Sequence, residues 1–462
     1  MHSDAMRVAS KLGTLIFLCS SCANFGNSSH SSSVLPTIDE LSSISLDFHD
    51  LEGNFDGTPF FTDVLRAADR NWFKRVIKSH NFPTATLHSS CKVLVTGGGV
   101  SVANLDARQK EVASKLKSPR VFLVVNAEDK SGEENYARMN DDIEKDDPVV
   151  ILGTWFNSRT RNYRSLSRGL SSIYVPFGSI NFAERHKHTP LDLANRSTYT
   201  RLHDRANVTC KNGLPAVSVA FQYGLRDMHR LNLNAEAERE GYWDSLNVHL
   251  NRTLKRTGVA LSSSNGILNL GCAPSDALRT LFGEPVETHK KKKNQHSYNY
   301  DQSVHRYSCF QAVVAMEHRL GGGSPKSNVK ESSPAPGYIT EKIIDVLLAG
   351  SVPIYSGSDL IHEIFKPSAF VYINASKGRT MEAGEKNLAE IMRIFDHPDE
   401  FEQAAQLEGV LQDGAMEKFF SWHPAVWPHY GDELIQRILN ELRQHCWMSI
   451  QNSASKNSNI VE

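Results

Sequence analysis

Excess charge of either sign is missing from this chain: 51 Lys and Arg face 52 Asp and Glu across 462 residues, a formal net charge of −1. A chain so balanced lacks the basic face that nucleic acid or an anionic membrane would need as its main partner. A local basic patch stays open. Cysteine is sparse, seven in all, and so widely scattered that neither a dense disulfide scaffold nor a zinc framework follows. Nineteen histidines show no His-Glu-x-x-His or similar spacing, so no metal site is expected. Repeat bias is absent too, which excludes collagen-like and coiled-coil chains. No apolar run near the N-terminus reaches the ~20 residues of a membrane-spanning helix.

What is present is globular: 40% apolar and 22% charged residues, with length for two to three domains. Arg7 and Lys11 precede an apolar stretch at residues 12–19 and the small residues Ser21-Cys22-Ala23. That order predicts a signal peptide or short anchor over 1–23 and delivery to the secretory pathway, most naturally the Golgi lumen. Sequons at Asn27, Asn195, Asn207, Asn251 and Asn374 fit luminal exposure. Beyond the leader stand Cys91, Cys210, Cys272, Cys309 and Cys446. One or two bridges fit an oxidising lumen, but spacing does not give their pairing.

Residues 24–60 are serine-rich and weakly patterned, and read as a stem. Regular structure is expected from Thr62, where Val64, Leu65, Ala68, Phe73 and Val76 recur at helical spacing behind a Thr62 cap. Apolar runs at 92–96, 121–125 and 149–152 read as buried strands. Strands separated by helical stretches predict α/β layering. After a softer middle, 191–256, a second α/β pattern begins at Gly258. It includes a strand at 309–315, and helical stretches at 387–395 and 432–444 precede a polar tail from 449.

The most informative window is 336–357. From Thr340 to Ala349 the spacing is helical, with Ile343, Ile344, Leu347 and Leu348 available for burial, Thr340 as N-cap and Gly350 at C′. A strand follows at 352–355. Lys342 sits in the first turn, the wrong end of the helix dipole for a cation. Two readings stand. Lys342 meets an anion such as phosphate at the helix N-terminus, or it is a surface lysine on an amphipathic helix.

Tyr338-Ile-Thr-Glu-Lys-Ile-Ile-Asp345, followed by Leu-Leu-Ala-Gly-Ser-Val-Pro-Ile-Tyr-Ser-Gly-Ser, resembles the signature of the α1,3/1,4-fucosyltransferase family. The segment from Tyr307 through Glu317 and His318 resembles the family's Tyr-Lys-Phe…Phe-Glu-Asn stretch. Val259-Ala-Leu-Ser-Ser-Ser-Asn265 with Ala273-Pro-Ser-Asp-Ala-Leu-Arg279 resembles its strand, Ser-Asn, loop and helix opening. The likeness runs over about 259–422 and is fainter before.

The resemblance implies an α/β GT-B architecture, two facing Rossmann-like domains with a donor cleft between them. The domains expected are 61–255 on the acceptor side and 256–448 binding GDP-fucose, with a polar tail at 449–462. It implies transfer of L-fucose from GDP-β-L-fucose, with inversion, to a hydroxyl of an oligosaccharide or glycoprotein acceptor, in α1,3 linkage. No cofactor is required, a divalent metal at most stimulates, no nucleic acid takes part, and membrane contact is limited to an N-terminal anchor. Two other readings stay open: a GT-B transferase using another nucleotide sugar, and a catalytically silent glycan- or nucleotide-binding relative. Donor contacts carry over to Lys342 at the diphosphate, to Glu341 and Tyr338, to Glu317, to Asn265, and to Arg279 as the nearest match to a family arginine. The chain departs from the family at His318, where the family has Asn.

For the general base the family has a glutamate just after a strand of the first domain. Val121-Phe-Leu-Val-Val-Asn-Ala-Glu128 has that form, and Ser131-Gly-Glu133-Glu134-Asn is the alternative, with Glu133 as base. Three glycines at 97–99 open like a dinucleotide fingerprint, but Ser101 and Val102 break its spacing. The lysines at 290–293 read as a solvated loop.

Overall fold

The computed structural model describes residues 36–37, 40–41, 43–51, 57–80, 89–97, 111–113, 115–116, 119–125, 147–154, 164–165, 169–195, 217–219, 267–269, 300–308, 312–317, 320–321, 333–334, 336–372, 403–404 and 407–458. The first sheet is built from β1 (Ile44–Asp50), β2 (Ser89–Gly97), β3 (Arg120–Val125), β4 (Val149–Gly153), β5 (Arg164–Ser165) and β6 (Leu170–Tyr174). Their order is β1-β2-β3-β4-β6-β5, with every pair parallel except the short edge strand β5 against β6. β3 and β4 are buried along their whole length, as in a parallel sheet covered on both faces. Val121, Leu123 and Val125 join the main core, while Phe122 and Val124 join a smaller cluster with Leu94, Val149 and Ile151. That division is the two-residue period of a strand.

The second sheet takes β7 (Val217–Val219), β8 (Ile267–Asn269) and β9 (Ala312–Met316). After the antiparallel pair β10 (Leu320–Gly321) and β11 (Ser333–Pro334) it adds β12 (Val352–Ser356) and β13 (Val371–Tyr372). Its order is β13-β12-β9-β7-β8, parallel throughout. Four helices matter below: α1 (Thr58–His80), α2 (Tyr300–Tyr307), α3 (Glu341–Leu348) and α4 (Glu433–Ser458). The expected α/β class is borne out, in two sheets that are parallel apart from the edge strand β5. Residues Ile38–Glu462 form one compact unit, and one apolar cluster runs from Ile44 and Val93 through Val313 and Ile343 to Trp422 and Leu439. Among the described residues no helix is long and apolar enough to cross a membrane.

Four expectations are corrected. β1 lies inside the segment read as a stem; Ile44, Leu46 and Phe48 alternate with polar residues and turn inward. α1 begins at Thr58, so Thr62 is not a cap; its hydroxyl donates to the Thr58 carbonyl (3.0 Å). β7, placed by sequence in the first domain, pairs with β8 and β9 of the second sheet. α4 continues to Ser458 through residues read as a loose tail. The helical stretch expected at 387–395 lies outside the described residues.

α4 belongs with the first sheet, packing against β1 to β4 and α1. Cys446 on α4 is disulfide-bonded to Cys91 on β2, 355 positions away. Arg443 forms an ion pair with Asp69 of α1, and Ser171 Oγ of β6 lies 2.7 Å from His445 Nε2. A crosslink closing so long a loop strongly restricts the unfolded chain. Replacing Cys91 and Cys446 together with serine is expected to lower the free energy of unfolding by about 2–5 kcal/mol. Urea unfolding without reductant checks this, and a change below about 0.5 kcal/mol, the size of a neutral surface substitution, would contradict it.

The segment before α4 closes the core. Trp422 stacks on Phe61 of α1 (centroids 4.4 Å apart, 14° between planes) and donates from Nε1 to Ser179 Oγ (2.9 Å). Beside it, His423 lies against Phe60 (5.5 Å) and accepts from the Ala425 amide through Nδ1 (3.2 Å). Burial lowers its pKa from 6.5 to about 4. A histidine with a depressed folded pKa binds its proton more readily when unfolded, so it contributes stability above pH 6.5 that is lost as pH falls toward 4. The full loss is on the order of 3 kcal/mol. His423→Phe should flatten that part of the stability–pH curve; an unchanged slope between those limits would count against a neutral buried ring.

Candidate functional site

β9 and β12 are parallel neighbours, and their carboxyl ends carry the site, as is usual in α/β sheets. Glu317 is the first residue beyond β9, its amide donating to the Ser356 carbonyl of β12 (2.8 Å). The turn before α3 brings Thr340 against it. The Thr340 amide donates to Glu317 Oε1 (2.8 Å), its hydroxyl donates to Oε2 (2.7 Å), and the Tyr355 hydroxyl donates to Oε1 (3.3 Å). The Glu317 side chain is 1% exposed. Burial raises its pKa, which the Lys342 ammonium and the Thr340 amide partly offset. Burial first, then the Glu317 charge, lifts the Tyr355 phenol well above its ordinary range.

Thr340 is a hub. Its side chain caps α3 by accepting from the Lys342 amide, as the sequence predicts, and it accepts from Lys342 Nζ (3.0 Å). Lys342 Nζ also bonds to Glu341 Oε1 (3.1 Å) and lies 3.9 Å from Glu317 Oε2, an ion-pair neighbour beyond hydrogen-bond reach. At its far end α3 stops where Gly350 adopts φ 79°, the left-handed C′ position expected.

Of the two sequence readings of Lys342, the surface lysine on an amphipathic helix is overturned. α3 is buried on every side, its polar residues facing protein instead of solvent, and the Lys342 side chain is 9% exposed. Two carboxylates, one of them from β9, supply the negative charge that the dipole argument asked of a ligand. Lys342, Glu341 and Glu317 are thus brought together. Tyr338 is fully buried on the same turn, its ring packed away from solvent. Asn265, Arg279, His318, the lysines at 290–293, and both base candidates, Glu128 and Glu133, lie outside the described residues. Glu128 follows the end of β3 by three positions.

Sequence reasoning missed Tyr355, and saw Thr340 only as a cap. It also gave no role to Asp345, an acid among Ile343, Ile344, Leu347 and Leu348 in a helix with no exposed face. An acidic residue in such a run was the available signal, since buried carboxylates need partners. Among the described residues no group of three or more His, Cys, Asp or Glu side chains gathers as a metal site would require.

No protein-family model matches the chain. Two solved chains with similar structures are an α1,3-fucosyltransferase with GDP-fucose (14% identity, 80% of this chain and 95% of that one, TM-score 0.36) and an α1,3-fucosyltransferase with GDP (12%, 91% and 93%, TM-score 0.38). At such scores the fold rests on the strand order given above. In sequence, the chain is 26% identical over 207 residues to the α-(1,3)-fucosyltransferase FucT of Helicobacter pylori, a match over 44% of this chain and 37% of that relative's length. The resemblance to the α1,3/1,4-fucosyltransferase family is thereby borne out: what this chain is similar to is an α1,3-fucosyltransferase.

Proposed function

We propose that the protein transfers L-fucose from GDP-β-L-fucose to a hydroxyl of a glycan acceptor, forming an α1,3 linkage with inversion. The observation that carries this reading is Lys342, a buried cation in the first turn of α3, inside the segment that resembles the α1,3/1,4-fucosyltransferase signature. The acceptor hydroxyl attacks the anomeric carbon from the face opposite the diphosphate and gives its proton to a carboxylate. The bond from that carbon to the β-phosphate oxygen breaks, and GDP leaves with the electron pair. Glu128 beyond β3 is the proposed base, with Glu133 the alternative. Lys342 stabilises charge growing on the leaving diphosphate. An ammonium has three N–H donors and can exchange its carboxylate neighbours for phosphate oxygens. Glu341 meets the donor beside it, Glu317 and Tyr338 seat the loop, and Asn265 and Arg279 complete the donor side. No resident cofactor enters this chemistry.

The compartment that fits is the secretory pathway, most naturally the Golgi lumen. The Cys91–Cys446 bridge suits an oxidising environment, and the sequon residue Asn195 is exposed. Expressed in secretory eukaryotic cells, the protein should gain endoglycosidase-sensitive mass, and Asn195→Gln should remove one glycan. A cytosolic product without glycan would overturn the assignment. The function itself is tested by incubating purified protein with GDP-fucose, other GDP- and UDP-sugars, and a mixed glycan array. Fucose incorporation from GDP-fucose alone is expected. Transfer from another nucleotide sugar, or binding without turnover, would replace this reading.

A further inference from the structure

The turn that holds Lys342 is gripped from the other sheet. From the last residue of β6 onward, residues 174–185 run against residues 337–345 and meet them at four places. The Tyr174 hydroxyl donates to the Gly337 carbonyl (2.8 Å). The Gly178 amide donates to the Ile339 carbonyl (3.0 Å). A Cβ on Gly178 would stand 2.5 Å from the Thr340 carbonyl oxygen and 2.7 Å from Ile344 Cδ1, so the two backbones approach as only glycine allows. Finally, Arg185 forms an ion pair with Asp345 of α3, both side chains fully buried. Its guanidinium lies over the rings of Phe182 (5.2 Å) and of Tyr300 on α2 (4.9 Å), and Asn181 Nδ2 donates to the Tyr300 hydroxyl (2.7 Å).

These contacts are specific in a way that apolar packing is not. A buried guanidinium is costly unless a carboxylate meets it in good geometry, so Arg185 fixes where Asp345 must lie. Asp345 is one helical turn from Lys342. The Thr340 carbonyl belongs to the residue whose hydroxyl holds both Lys342 Nζ and Glu317. The geometry points to Tyr174, Gly178 and Arg185 as positioning residues of the first sheet that set the place of Thr340 and Lys342, and through them the affinity of the donor site for a nucleoside diphosphate. This rests on the donor-site reading above.

Gly178→Ala tests it, because the new methyl meets backbone and cannot be relieved by a rotamer change. Gly409→Ala is the control: its Cβ would meet the Ala194 carbonyl oxygen at 2.8 Å, a comparable insult at a contact that does not involve the donor loop. Calorimetric titration with GDP, on protein shown to be folded by near-ultraviolet circular dichroism, should give at least tenfold weaker binding for Gly178→Ala. The milder Tyr174→Phe should weaken it several-fold, and Gly409→Ala should leave it near wild type. Hydrogen exchange in the nucleotide-free protein should show lost protection at 340–348 in Gly178→Ala only. Wild-type affinity and protection in folded Gly178→Ala, or equal losses in Gly409→Ala, would overturn the positioning role. Wild-type protein that binds no GDP would overturn the donor-site reading instead, while the exchange data still decide whether the grip exists.

Discussion

Lys342→Ala is expected to reduce kcat/KM for GDP-fucose by on the order of 10²–10³, the loss seen when one charge-stabilising donor is removed. Charge grows on the departing diphosphate as the bond breaks, so a contact that strengthens along that path acts mainly on kcat. The substitution should also destabilise the folded protein. Glu317 and Glu341 lose the cation between them, and breaking a buried pair from one side costs about 3–5 kcal/mol. Loss of turnover and loss of stability are separable. Adding Glu317→Gln to Lys342→Ala removes one of the two facing carboxylates, so the double variant should melt higher than Lys342→Ala while staying inactive. Lys342→Arg should recover only part of the rate, because its planar fork presents donors in another geometry. Steady-state kinetics with thermal melts decide these points. A folded alanine variant with near-wild-type turnover would remove Lys342 from the mechanism.

Glu317→Ala carries the second large effect. The Thr340 amide, the Thr340 hydroxyl, the Tyr355 hydroxyl and the Lys342 ammonium all turn toward that one carboxylate. Each buried donor left without an acceptor costs about 1–3 kcal/mol, and a charged one more. The expected loss is about 3–5 kcal/mol, the range for breaking a buried ion pair. Glu317→Gln keeps one carbonyl oxygen but sets an NH₂ against the donors, so it should lie between alanine and wild type. Urea unfolding of the three proteins should give that order. An alanine variant within about 0.5 kcal/mol of wild type, the range of neutral surface changes, would show that the carboxylate is not the anchor of this turn.

Much of the layering was legible because parallel strands covered on both faces are apolar from end to end: residues 121–125 and 149–152 announce themselves. β1 does not. It sits at the sheet edge, its Ile44, Leu46 and Phe48 separated by Ser45 and Asp47, and Ser42 and Ser43 precede it. The last turns of α4 are polar, and only its earlier face, Leu439, Leu442 and Cys446, reports a buried helix. The cap and stop of α3 are local chemistry and were readable from Thr340 and Gly350. The burial of Lys342 was not, because its partner Glu317 stands 25 positions upstream, just past the end of β9. Spacing along a chain carries no information about such neighbours. The same holds for Cys91 with Cys446 and for Arg185 with Asp345, pairs made only by the fold.

In the proposed function Lys342 receives the diphosphate of a GDP-sugar at the carboxyl ends of β9 and β12. A crystal structure of the protein soaked with GDP tests it most directly. A phosphate oxygen about 3 Å from Lys342 Nζ, within ordinary hydrogen-bond reach, with the ammonium drawn from Glu317 or Glu341 toward it, is the expected result. GDP bound elsewhere, with Lys342 still held between the two carboxylates, would contradict it.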